Sequence, residues 1–480
     1  MTPPRPPKRP ITVIAPWTAP PQVGATAARP AIYLVVIYIF ITYARLPEIL
    51  LMAIGHGLRL GLISTVLAIL AVLLSGGLFR VASSGIVQIL VGFTAWLCVC
   101  TPFSVWHGGS FQQIVNWSIS LVSLILLAGC IDGLDQCRKA MYAMAVSVLT
   151  MELLSFAFGS SNASRDVGRF SFVSGTLANA NDFATLLLIG LPFCLLVVRI
   201  RTGFSVLRIA SFLGLLLIPI TVFRTGSRGG LLALAIMFAV YFFSLPALRK
   251  IPVAIAALLL AVGAVVFTHG SALERYKTIF VGADQAYYAN VAEASAAESM
   301  RSRKRLFLNS VRLTIEHPIF GVGPGMFPVA DAAASEEKDL PAAWRQTHNS
   351  FTQVSSEAGV LAFLLYTAAL VFCFRALRSV SKSALAHPEL RSAGDMAYCL
   401  RLSLLAFTIT AVFASNAYAF YFPMVAGLCA ALDRSVSGET KTLEARQEPS
   451  PLQPVVSSSP AAPGRRPGLR LASGFRLRAP

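Results

Sequence analysis

From residue 31 to residue 432 the chain alternates between apolar runs of about 15 to 20 residues and short breaks marked by charge, glycine or proline. A helix of that length rises far enough to cross a hydrocarbon core of roughly 30 Å. Reading run by run predicts twelve membrane helices, at about 31–48, 58–77, 84–102, 115–131, 140–159, 181–199, 206–223, 229–245, 251–268, 354–374, 397–415 and 417–432. The ten-residue alternation of a membrane β-barrel is absent, and in lipid only a helix closes its own backbone hydrogen bonds. The expected fold is therefore an all-α integral membrane protein.

One connection is far longer than the rest. Residues 269–350, between the ninth and tenth predicted helices, hold Trp344 and nine acidic against nine basic residues, a balance that favours a small folded cap over a flexible link. The chain then divides into a basic tail (1–30), nine membrane helices (31–268), the large loop with an interfacial helix (269–350), three membrane helices (351–432) and a Pro/Arg-rich tail (433–480). Both tails are expected to be disordered and cytoplasmic, because they lack the apolar residues to form a core.

Composition narrows the classes. Hydrophobic residues make up 55% of the 480 and charged residues only 13%, which excludes an ordinary soluble enzyme. The net charge of +18 would suggest nucleic acid in a soluble protein, but much of it lies in the tails, at Arg5, Lys8, Arg9 and Arg29 and at Arg465, Arg466, Arg470, Arg476 and Arg478. No nucleic-acid partner is expected. Short loops on one side collect Arg80, Arg138, Lys139, Arg199, Arg201, Arg208, Arg249, Lys250, Arg375, Arg378, Lys382, Arg391 and Arg401. Those on the other hold only Arg45, Arg59, Arg165, Arg169, Arg224 and Arg228. The positive-inside rule then puts both tails in the cytoplasm and the large loop on the outer face. The eight cysteines form no CxxC and have no histidine at ligand spacing, so neither a disulfide framework nor a zinc site is expected. The first apolar run starts after about 30 residues and should act as an uncleaved anchor.

Candidate chemistry gathers at the outer face. Arg224 and Arg228 flank Thr225-Gly226-Ser227, where the seventh helix turns into the eighth. The fixed donor fork of arginine suits a phosphate group, although snorkelling to ordinary phospholipid explains the same residues. Arg301-Ser302-Arg303-Lys304-Arg305 opens an amphipathic helix with Phe307, Val311 and Ile315 on one face, ended by Pro318 and by Gly321, Gly323 and Gly325. Such a helix fits the membrane interface, and a solvated charge run is the plainer alternative. In Thr347-His348-Asn349-Ser350-Phe351-Thr352-Gln353 the capping-box spacing of Ser350 and Gln353 starts the tenth helix. His348 then sits at its positive end, where the helix dipole disfavours an imidazolium and leaves a general base. Glu357 follows on the same face as Gln353, placed to orient His348, pair an outer arginine or reach the interface. No DxD, HExxH or P-loop is present, which disfavours a metal-dependent transferase using nucleotide sugars.

Four segments together resemble the O-antigen ligase and O-antigen polymerase family. They are Gly175-Thr176-Leu177-Ala178-Asn179-Ala180-Asn181-Asp182, Thr225-Gly226-Ser227-Arg228-Gly229-Gly230, Arg303 through His317-Pro318-Ile319-Phe320-Gly321-Val322-Gly323, and His348-Asn349-Ser350 with Glu357-Ala358-Gly359. The resemblance implies a glycosyltransferase of the multi-helix membrane type in the bacterial inner membrane. Its donor would be an undecaprenyl-diphosphate-linked glycan and its acceptor lipid A-core or a growing glycan, with no metal or other cofactor. It implies His348 as the general base, Arg228 and Arg303 with Arg224 on the diphosphate, and Glu357, Asn349 and Asn181 in support. The chain has Ala180 where the family often has proline, and it leaves the roles of Arg165 and Arg169 open. Two other classes remain: a transporter or flippase of lipid-linked oligosaccharide, which should show paired repeats and midplane charges, and a non-catalytic scaffold.

Overall fold

A computed structural model describes residues 28–55, 59–161, 169–267, 276, 291–336 and 344–447. Its helices run in the order α1 (Ala28–Tyr43), α2 (Leu46–Ile54), α3 (Leu60–Leu74), α4 (Gly77–Ala82), α5 (Gly85–Cys100), α6 (His107–Cys130), α7 (Leu134–Phe158), α8 (Ala180–Ile200), α9 (Val206–Arg224), α10 (Arg228–Phe243), α11 (Ala247–Phe267), α12 (Val291–Glu316), α13 (Phe327–Glu336), α14 (Ser350–Ala386), α15 (Arg391–Ala411) and α16 (Tyr421–Gln447). Among the described residues the strands are β1 (Gly159–Ser160) and β2 (Ser171–Phe172), paired antiparallel with Gly159 opposite Phe172. The chain is an all-α membrane protein. Both expected tails fall mostly outside the described residues, as do large parts of the 269–350 loop.

Seven helices among the described residues are long and apolar enough to cross a membrane, or eight if the pair α1 and α2 is one span bent by 57°. The expected single helix at 31–48 is thus broken, at Arg45, whose backbone is left-handed (φ 50°). Helices α3 and α10 are apolar but shorter. The last helix does not stop at 432 but runs to Gln447.

Helix α8 forms the centre. Of its apolar window 78% is buried inside the protein, against 6% for α11, which presents nearly its whole surface outward. Lipid tails are as apolar as leucine, so helices associate in a membrane through close packing rather than through the hydrophobic effect. Gly427 of α16 shows this: a Cβ there would press on Leu127 and on the Leu124 backbone of α6.

At one end of the bundle Arg199 pairs with Asp395 at 2.6 Å and Arg80 with Asp132 at 3.0 Å. The other end gathers the β1–β2 hairpin, the starts of α8, α10 and α14, and the α15–α16 turn. There Phe170 N–H donates to Arg224 O at 3.2 Å and Ser350 Oγ to Ala414 O at 2.7 Å.

Helix α14 is two helices in one run. Gly359 breaks it with φ 79° and ψ −180°, a conformation open essentially only to glycine, and a Cβ there would collide with the Ile319 carbonyl oxygen. Ser350–Ala358 therefore stands as a separate stub above the membrane-length segment that follows. The freed groups are reused: Val360 N–H donates to Pro318 O at 2.8 Å and Trp96 Nε1–H to Ala358 O at 2.9 Å.

Candidate functional site

A pocket of about 730 Å³ opens at this end. Four pieces of chain form it: the start of α10 (Arg228, Leu231, Leu232, Ala235), one face of α12 (Met300, Arg303, Lys304, Phe307), the loop Thr347–Asn349, and Val412 with Phe413 of the α15–α16 turn. Three residues singled out from sequence as the base and the phosphate ligands, His348, Arg228 and Arg303, thus share one cavity although 120 positions separate the outer two. Leu231, Leu232 and Ala235 follow Arg228 on the same face of α10, so the cationic mouth continues into an apolar wall.

Each side chain is held by local structure. Ser227 caps α10, its Oγ accepting the Gly230 N–H at 3.2 Å, and this starts the helix with Arg228 as its first residue. Gly229 lies so close to Phe413 that a Cβ would clash with that ring. Arg228 is half-buried, with Nη1 3.0 Å from Met300 Sδ on α12.

The α12 helix begins ten residues before the expected Arg301 and ends at Glu316, just ahead of Pro318. Its buried face is Leu306, Ser310 and Leu313, while Phe307 and Ile315 are exposed. Asp331 on α13 fastens it, accepting from Asn309 Nδ2 at 2.7 Å with Arg305 4.0 Å away.

His348 has a left-handed backbone (φ 55°), uncommon for a residue with a side chain. Ser415 holds it there, its Oγ accepting the His348 N–H at 2.7 Å. The expected cap of the tenth helix shifts by one: Asn349 Oδ1 accepts from Phe351 N–H at 2.9 Å and Thr352 N–H at 3.1 Å, whereas Ser350 turns to the α15–α16 loop. Asn349 thus lines the pocket while its side chain carbonyl is committed to the helix end.

Three of the expected site residues are elsewhere. Arg224 is not among the pocket's lining residues; its guanidinium lies over the Phe170 ring, 4.2 Å from the centroid. Glu357 is fully buried and away from the pocket, where its Oε2 accepts the Gly325 N–H at 2.9 Å and its Oε1 the Phe327 N–H at 3.4 Å. None of the three roles expected for Glu357 is what the structure displays. It ties the turn before α13, and through it α12, to the stub that carries His348. Val322 N–H to Ser356 O and Gly323 N–H to Glu357 O, both at 2.9 Å, reinforce the tie.

Asn181 also lies behind the pocket. Its Oδ1 accepts from Ser227 Oγ and from Arg169 Nη2, each at 2.9 Å. Arg169, almost completely buried, also donates from Nε to Thr225 O at 2.9 Å. Arg165 lies outside the described residues. Sequence reading gave no separate role to Lys304 or Thr347 and missed Ser415 and Phe413. Lys304 adjoins a named arginine, but nothing in the chain's pattern brings the α15–α16 turn to His348.

Among the described residues no three of His, Cys, Asp and Glu gather in a way that could hold a metal ion. No curated protein matches the chain. Residues 212–367 match the family model described as O-antigen ligase, a segment that includes Arg224, Arg228, Arg303, His348 and Glu357 but neither Asn181 nor Ser415. Through this segment the chain is similar to the O-antigen ligase family.

Proposed function

We propose that the protein is a metal-independent, inverting glycosyltransferase of the bacterial inner membrane. It takes glycan from an undecaprenyl-diphosphate donor at the periplasmic face and passes it to lipid A-core or to a growing lipid-linked chain. The observation that carries this reading is the meeting of Arg228, Arg303 and His348 in one pocket with an apolar wall beneath.

A lipid diphosphate needs cations at its head and an apolar path for its tail, and the pocket offers both. Arg228 and Arg303 hold the diphosphate and stabilise the charge that grows as the bond from the anomeric carbon to the phosphate oxygen breaks. The imidazole of His348 takes the proton of the acceptor hydroxyl as that oxygen attacks the anomeric carbon from the face opposite the leaving group. The bond electrons leave with the diphosphate and the anomeric configuration inverts. Losing one such charge-stabilising contact costs on the order of 3 kcal/mol in barrier.

The test is transfer by purified protein in lipid nanodiscs with EDTA present, given lipid-linked donor and either lipid A-core or a second donor. Product on core identifies a ligase and longer lipid-linked chains a polymerase. His348→Asn is the informative variant, because asparagine tolerates the left-handed backbone but supplies no base. It should fold, bind donor and transfer nothing. Wild-type rates from this variant would remove His348 from the reaction, and donor crossing the bilayer of sealed proteoliposomes without any product would favour a transporter.

A further inference from the structure

Arg169 belongs to no motif that reaches the pocket, yet it is 3% exposed and its guanidinium is spread across two segments of chain. Nε donates to Thr225 O and Nη2 to Asn181 Oδ1, both at 2.9 Å. Asn181 accepts in turn from Ser227 Oγ, which also receives the Gly230 N–H at the first turn of α10. Burying a guanidinium is costly unless its donors are used, so its retention beneath this turn asks for a reason.

We infer that Arg169 is a positioning residue for the donor diphosphate: it clamps the Thr225–Ser227 turn against the start of α8 and thereby sets where Arg228 meets the phosphate oxygens. The inference rests on the proposed role of Arg228 as a diphosphate ligand. Arg169 touches no substrate. Its two donors point to acceptors 56 and 12 residues away, and only a planar fork satisfies both at once. Lysine keeps the charge but brings a single point of donation, so the turn would be held at one acceptor instead of two. Ser227 is the second link, and its loss frees the same turn without touching Arg169.

The experiment measures binding of undecaprenyl diphosphate to full-length protein in nanodiscs, by competition against a labelled lipid diphosphate, with thermal unfolding in parallel. Arg169→Lys and Ser227→Ala are each expected to weaken binding about tenfold, the loss of one well-placed charge-assisted contact. In an Arg228→Ala background Arg169→Lys should cost less than twofold, because a residue acting through Arg228 has nothing left to position. A merely structural role would give the same loss in both backgrounds, together with a lowered unfolding temperature, and would overturn the inference. Wild-type binding by both single variants while Arg228→Ala binds weakly would also overturn it, leaving the proposed function intact. Failure of the wild-type protein to bind the lipid diphosphate would overturn both.

Discussion

At the scale of single residues, burial separates two neighbours in function that look alike in sequence. His348 and Glu357 both stand at the start of α14, but one lines an open pocket and the other spends both carboxylate oxygens on backbone N–H groups. Glu357→Gln keeps one acceptor and turns an amide toward the other N–H. We expect a loss of about 1–3 kcal/mol in stability, seen as a lower unfolding temperature, with transfer reduced but not abolished; unchanged stability would dismiss the tie. The arginines diverge similarly. Arg224 and Arg228 flank the same three residues, but Arg224 closes α9 while Arg228 opens α10, and the turn sends them to Phe170 and to the pocket respectively. Residue type and spacing placed Arg228, Arg303 and His348 among the candidates that share the pocket, but gave Arg224 and Glu357 equal standing. The backbone partners of Glu357 are contributed from 30 and 32 positions away, beyond any periodic signal.

At the scale of elements, α12 offers a direct test of which face is inside. Sequence periodicity grouped Phe307, Val311 and Ile315; Phe307 and Ile315 are exposed and Val311 is half-buried, whereas Leu306 and Leu313 pack beneath. Leu313→Ala should cost about 2–5 kcal/mol, as large-to-small changes in a packed core do. Ile315→Ala, at 73% exposure, should stay within about 0.5 kcal/mol. Equal losses in thermal unfolding of the detergent-solubilised protein would mean that the helix is turned differently. The helix end was legible because Pro318 cannot continue it. The break in α14 was not, because a glycine within an apolar run is common, and only the approach of the 318–319 carbonyls reveals why this one is needed.

At the scale of the whole molecule, hydropathy revealed that the chain is a membrane bundle but not how the bundle is arranged. Helices α8 and α11 have similar mean hydropathy, 2.4 and 2.0 over their windows, yet one is the centre and the other a flank. Lipid and protein interior are equally apolar, so composition cannot distinguish them. The contacts do sort the connections into two ends, with Arg228, His348 and Ser415 at one and Asp132 and Asp395 at the other. In a background with the eight native cysteines replaced, single cysteines placed at the exposed Val173 and Trp344 should therefore react alike with a membrane-impermeant thiol reagent applied to intact cells, and one at Asp395 should not. Labelling of all three, or of the last alone, would contradict the proposed periplasmic face.

The hydroxyl of Ser415 reaches the backbone of His348 from beyond the family-matched stretch, and Asn181 braces Ser227 from before it. Anyone building chimeras between relatives of this chain would thus do well to move the flanking turns together with residues 212–367. A graft limited to that stretch would carry the side chains of the proposed site into a host whose scaffold no longer aims them.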